Sequence, residues 1–211
     1  NRWYDAEATV SPDGKWIVFG RQIDGNADLW RMKPDGTEQT QLTFTSDWQE
    51  GEAYFLPDSE TVIFRAWKNS EKKRLEEEAR KNGTRSQTPM NIYSMKITGP
   101  DRDVQPRTFT NDMNWSPFPA PDGRHFLYVR IVEGNNWELY LGDLAGGEPR
   151  RLTYNPAFDG MGAFSPVPGV DDALVADVMS HFVEPTLAEL RRRGIDYRGV
   201  SVLAATKLVP G

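Results

Sequence analysis

The chain has 211 residues, 38% hydrophobic and 27% charged, with a net charge of −6 at neutral pH and no cysteine. These values describe a globular protein and exclude disulfides, thiolate metal sites and cysteine nucleophiles, while the acidic balance gives no footprint for nucleic acid. No apolar run reaches the roughly 18 residues of a spanning helix, and a chain that begins at Asn1 without an initiator Met is expected to be processed or excerpted.

Seven Trp, 18 Gly and 15 Pro predict many short strands broken by turns. The string SPDGKWIVFG from Ser11 recurs as LPDSETVIFRA from Leu56, as APDGRHFLYVR from Ala120, and in truncated form as FSPVPG from Phe164. The repeated prolines are Pro12, Pro57, Pro121 and Pro166, at intervals of 45, 64 and 45 residues. A second string follows each of the first three in phase, with Trp30, Tyr93 and Tyr140 leading Phe44, Phe109 and Tyr154. In Pro12-Asp13-Gly14 the proline presets φ, the aspartate caps and the glycine takes positive φ, which is turn chemistry. Trp16–Phe19, Val62–Phe64 and His125–Val129 are apolar runs of strand length that fit central strands buried on both faces. Leu29–Met32 and Leu139–Leu141 supply third strands, and Gln41–Phe44 and Arg151–Tyr154 outer ones. Units of this length with four strands each read as propeller blades.

The long interval contains an insertion at 69–89, whose residues Asn69 to Gly83 predict a helix with a Ser or Asn N-cap and an Asn-Gly stop. Its i,i+4 pairs are Lys72/Glu76, Lys73/Glu77, Glu76/Arg80 and Glu77/Lys81. Only Leu75 and Ala79 are apolar, so the helix is expected to project as an arm, meeting a partner through those two residues or serving no role beyond a solvated insertion. Past residue 158 the pattern turns helical: Leu174, Val178 and Phe182 are four apart, Pro185 interrupts, and Leu187 and Leu190 precede a basic run ending at Gly194.

Ser11-Pro12-Asp13-Gly14-Lys15-Trp16-Ile17-Val18-Phe19, Leu29-Trp30, Gln41-Leu42-Thr43 and Arg150-Arg151-Leu152-Thr153 resemble the repeat of TolB-like propellers over residues 1–158. That resemblance implies a mostly β fold, a partial propeller of about three four-stranded blades, acting as a periplasmic or otherwise extracytoplasmic binding scaffold, or as the accessory propeller of a serine peptidase. Gly160-Met161-Gly162-Ala163-Phe164-Ser165-Pro166, Pro185-Thr186 and Gly194–Val200 are similar instead to a stretch of phosphoribosylamine–glycine ligase, an ATP-grasp enzyme. It implies a C-terminal α/β tail over 159–211, too short to be an active ligase alone. The two patterns meet at Phe158–Met161, which makes the chain a fusion, a join of two sequences, or a diverged propeller.

Catalytic groups are scarce. His125 and His181 are the two histidines, and no G-x-S-x-G elbow is present, so no catalytic residue is assigned and a non-catalytic role is favoured. Asp24, Asn26 and Asp28 are weak calcium candidates, as is the Asp101/Asp103 pair, although neither has a full calcium loop and hairpin turns are the favoured explanation; no other cofactor is expected. Trp48, Trp115 and Trp137 lie near presumed loops as partner-binding candidates, with blade packing as the competing use. Because three blades do not close a ring, association is expected, either with another chain that completes the propeller or through the terminal helix covering an edge.

Overall fold

The computed structural model describes residues 3–98, 103–132, 136–154, 156–164 and 192. The helical tail expected over 174–194, with His181, lies outside the described residues, as does Asp101. Among the described residues twelve strands and one helix follow in order. Blade 1 is β1 (Trp3–Val10), β2 (Ile17–Ile23), β3 (Asn26–Met32) and β4 (Thr40–Gln41). Blade 2 is β5 (Trp48–Phe55), β6 (Thr61–Lys68), then α1 (Asn69–Asn82), β7 (Asn91–Lys96) and β8 (Gln105–Pro106). Blade 3 is β9 (Asn114–Pro119), β10 (His125–Val132), β11 (Asn136–Asp143) and β12 (Arg150–Arg151). Each blade is an antiparallel meander. The first strands β1, β5 and β9 also pack on one another from blade to blade, which places them around a common axis. The fold is thus a partial propeller of three four-stranded blades.

The turns form for the reason their sequence gives. Asp13 Oδ1 accepts the Ser11 hydroxyl and the Lys15 N–H, holding its carboxyl down at about 2, and Gly14 stands at φ +71°. Asp58 and Asp122 cap the equivalent turns, with Ser59 taking the positive φ in blade 2.

Blades bury their faces on their neighbours. Val18, Leu29 and Leu42 of blade 1 pack on Ala53, Phe55, Val62, Phe64, Ala66 and Met95 of blade 2. Leu56, Ile63 and Ile92 of blade 2 pack in turn on Phe126, Tyr128 and Tyr140 of blade 3. At about 25 cal/mol per Å² of apolar area, this face-to-face burial is the main stabilising term. Short parallel bridges, Ala27 with Gln49 and Met90 with Met113, stitch the start of each third strand to the next blade. The register runs across residue 158, since the Asp159 N–H donates to Trp137 O at 2.9 Å, as the Asn114 N–H donates to Met90 O at 2.8 Å.

Inside every blade the third and fourth strands are clasped by one threonine. The Leu29, Ile92 and Leu139 N–H groups donate to Thr43, Thr108 and Thr153 Oγ1, each at 2.9 Å. Those hydroxyls point at a polar group one residue earlier in the third strand. Thr108 donates to Asn91 Oδ1 at 2.8 Å, and Thr153 to Glu138 Oε2 at 2.6 Å. Thr43 faces Asp28 Oδ1 at 3.5 Å. The outer strands are shorter than the sequence suggests because this clasp takes over where the ladder stops.

The insertion is helical as expected, but it is not a free arm. No side chain of its own caps the N-terminus; Asp47, in the loop before β5, accepts the Ser70 N–H at 2.8 Å and the Ser70 hydroxyl. Gly83 ends the helix in the left-handed region. Of the four expected ion pairs only Lys72–Glu76 forms among the described residues, at 4.0 Å, and the closest pair is Arg74–Glu78 at 2.8 Å. Ala79 is 8% exposed, buried on the helix face that rests on the blade.

Thr108→Val is expected to destabilise the fold by about 2 kcal/mol, because it leaves the buried Ile92 N–H without its partner and removes one of the donors to Asn91 Oδ1, which keeps Thr110 N–H and Asn114 Nδ2. Chemical denaturation measures this; a change below about 0.5 kcal/mol would mean that the clasp carries no net stability.

Candidate functional site

Each first strand carries a bulge where one residue enters the left-handed region, Glu7 (φ +56°), Glu52 (φ +49°) and Ser116 (φ +52°), and Met161 (φ +58°) takes the same conformation after blade 3. In the three paired strands the register shifts at these positions. The bulge turns these side chains along the axis, where each reaches the next blade. Glu7 Oε2 accepts the Glu52 N–H at 2.7 Å, Glu52 Oε2 accepts the Ser116 N–H at 3.1 Å, and the Ser116 hydroxyl faces Met161 Sδ at 3.7 Å. Arg65 of β6 lies between the carboxylates, donating to Glu7 Oε1 at 3.1 Å and standing 3.4 Å from Glu52 Oε2. Gly51 makes room for this group, since a Cβ there would lie 2.5 Å from Glu7 Oε2. Burial raises the Glu52 carboxyl, opposed by Arg65.

Beside this relay sits an aromatic cluster. Trp115 donates from Nε1 to Glu52 Oε1 at 2.6 Å and meets Trp137 edge-on at 5.7 Å, and Trp137 in turn contacts Phe158 at 5.9 Å. The structure therefore brings two of the expected partner-binding residues, Trp115 and Trp137, together, half-buried, next to exposed Phe158 and Met161. Trp48 is placed elsewhere, edge-on to Tyr93 at 5.6 Å and packed on the core between blades 1 and 2. Leu75 is half-buried on the same helix stripe as Ala79. Ala79 is buried.

Sequence reasoning did not single out a second set, Phe44, Phe109 and Tyr154, which follow the clasp threonine in the three blades and are 73%, 80% and 73% exposed. Their signal was present in the phase of the repeat, but it reads as outer-strand core until the strand is seen to end before them.

The calcium candidates are not gathered into a cage. Asp24 is exposed at the turn after β2, Asn26 donates its amide to Asp28 Oδ2 at 2.9 Å, and Asp28 Oδ1 accepts the Thr45 N–H at 3.3 Å. Asp103 accepts an amide hydrogen bond from Gln105 at 2.6 Å. His125 is fixed in its turn, with Nδ1 2.6 Å from Asp122 Oδ2. Among the described residues no cluster of three or more His, Asp or Glu could hold a metal ion, and no helix is long and apolar enough to cross a membrane.

At the joint of blades 1 and 2, Glu50 is 5% exposed. Its carboxyl is pushed up to about 7 by burial, partly offset by the Thr45 hydroxyl, and Asp28 raises it further. A carboxyl whose folded value lies above its unfolded one near 4.5 stabilises the fold fully below the lower value and loses that contribution as pH rises through the upper. Stability should therefore fall by on the order of 3 kcal/mol between those limits. Glu50→Gln should flatten that slope in denaturant titrations at a series of pH values; an unchanged slope would show that Glu50 is not its source.

Comparison with known proteins agrees with the geometry. The structure resembles putative TolB from Agrobacterium tumefaciens, with a TM-score of 0.54 and 22% identity over 72% of this chain and 49% of that one. It also resembles TolB from Acinetobacter baumannii, with a TM-score of 0.56 and 23% identity over 76% of this chain and 35% of that one. The chain thus spans about half or less of these proteins. The family model of the phosphoribosylglycinamide synthetase ATP-grasp (A) domain matches residues 108–208. A 45-residue stretch is 44% identical to the phosphoribosylamine–glycine ligase of Streptomyces coelicolor, covering 21% of this chain and 11% of that enzyme. The match begins within the clasp of blade 2 and takes in all of blade 3. The chain is a partial propeller whose fold resembles that of TolB, and its residues 108–208, blade 3 included, are similar in sequence to a phosphoribosylglycinamide synthetase ATP-grasp (A) domain.

Proposed function

We propose that the chain is a non-catalytic propeller scaffold that holds a protein partner outside the cytoplasm. The observation that carries this reading is the set of three aromatics, Phe44, Phe109 and Tyr154, held exposed at the same step of successive blades. Large aromatic side chains left in water at regular positions on a rigid frame are anchors suited to a protein surface, because they lose little conformational freedom on docking. The Trp115–Trp137–Phe158 cluster adds apolar area beside the carboxylates of the axis. The extracytoplasmic location rests on the resemblance to TolB-like propellers.

Self-association is part of the same proposal. In blade 3, Tyr128, Arg130 and Tyr140 form a face that blade 2 covers, with the Arg130 guanidinium 4.7 Å from the Tyr140 ring. In blade 1 the equivalent Phe19, Arg21 and Trp30 form the same stack, at 4.7 Å from Arg21 to Trp30, with half-exposed Trp3 at its margin. A blade from a second chain fits this face. The competing reading, a piece of an ATP-grasp ligase, is favoured by the match to residues 108–208 and opposed by the blade those residues build.

Photo-cross-linking tests both parts. A benzophenone amino acid at positions 44, 109 or 154 should give one discrete adduct shared by all three, and at position 3 a chain-to-chain adduct, whereas position 38 in an exposed turn should give neither. The same smear at every position would contradict the scaffold reading. Saturable micromolar ATP binding with magnesium would favour the ligase reading.

A further inference from the structure

The joint between blades 2 and 3 differs from the joint between blades 1 and 2 at four positions in register. In the first joint Leu42, Phe64, Ala66 and Met95 fill the space as continuous core. In the second their places are taken by Arg107, Tyr128, Arg130 and Gly142, and a cleft of about 160 Å³ opens. Its floor is a layer of buried rings: Phe126 lies over Gly142, so close that a Cβ there would be 2.4 Å from it, and Phe126 and Tyr128, both fully covered, are 5.6 Å apart.

Two guanidinium groups stand over that floor in fixed orientations. Arg107 donates from Nε to Ser94 Oγ at 2.9 Å and from Nη1 to Leu144 O at 2.6 Å. Arg130 donates from Nε to Asn114 Oδ1 at 2.8 Å and from Nη2 to Tyr128 Oη at 2.9 Å, with its plane over Tyr140. Each therefore has a second terminal nitrogen with which to meet a guest. The partners of Arg107 are neutral oxygens, and among the described residues no carboxylate lies within ion-pair distance of it; Asp112 is 3.9 Å from Arg130. A half-buried guanidinium with only neutral partners is short of counter-charge, which a carboxylate oxygen on its remaining terminal nitrogen supplies. The rim argues against a more highly charged guest: Glu148 is exposed there, and Asp143 is occupied by Arg124 at 2.7 Å.

We propose that this cleft binds a small organic carboxylate, with its carboxylate on Arg107 and Arg130 and its flat apolar body against Phe109 and Pro149, the lining side chains that solvent reaches. The site exists because the repeat gives up core side chains at one joint that it keeps at the other.

Calorimetric titration of the whole chain with benzoate, benzamide and inorganic phosphate tests this. Benzoate should bind saturably and at least about tenfold more tightly than the other two, the factor expected of one charge-assisted hydrogen bond. Arg107→Leu, which installs the residue that blade 1 already uses at this position, should weaken benzoate by at least about tenfold, while Arg107→Lys should retain most of the binding. If the leucine variant fails to fold, the wild-type ratio of benzoate to benzamide decides. Equal binding of those two, preference for phosphate, absence of saturation, or unchanged affinity in folded Arg107→Leu would each overturn the proposal.

Discussion

The architecture depends on a buried polar clasp in a place where packing alone would leave the sheet open. At the start of each third strand a backbone N–H and the side chain of buried Asp28, half-buried Asn91 or buried Glu138 face away from the ladder, and one threonine of the outer strand serves both. Glu138, fully buried, shows the cost this offsets: its carboxylate accepts hydrogen bonds from Asn136, Thr153 and Arg151. A carboxylate stripped of those partners in a low-dielectric interior would cost several kcal/mol. Satisfying it fixes the outer strand, ends the regular ladder early, and so leaves the next residue, always aromatic, out in solvent.

A second constraint sits at the axis. Three first strands must converge without clashing, and each does so through a single left-handed residue. For Glu7, Glu52 and Ser116 the strain of that conformation, of order 1 kcal/mol, is set against a hydrogen bond or contact to the neighbouring blade. Stability and surface chemistry are therefore linked: the acidic groups that line the axis are also the ones that hold successive blades in register.

Much of this was legible in the sequence because it repeats. The Pro-Asp-Gly turns, the apolar second strands and the phase of Trp30, Tyr93 and Tyr140 give blades without any coordinates, and the helix from Asn69 ends at Gly83 as its Asn-Gly stop requires. The first strands were not legible. β9 contains Pro117, β5 contains Gly51 and Glu52, and β1 is mostly exposed, so none carries the alternation that marks a strand. The helix cap was missed because Asp47 is 23 residues distant from Ser70, and the exposed aromatics because an outer strand gives no local sign of where it stops. The cleft emerges only when the two joints are compared side by side.

The two sequence resemblances overlap on blade 3, and its fold distinguishes them. Residues 114–151 form a meander with the same register, clasp and bulge as blades 1 and 2, although the ATP-grasp model matches them too. Amide hydrogen exchange tests this most directly, read at Leu29, Ile92 and Leu139, the three donors to the clasp threonines. The account predicts slow exchange of similar magnitude at all three, rising together with denaturant. Fast exchange at Leu139 beside protected Leu29 and Ile92 would contradict it, and would mean that the third unit does not fold as a blade.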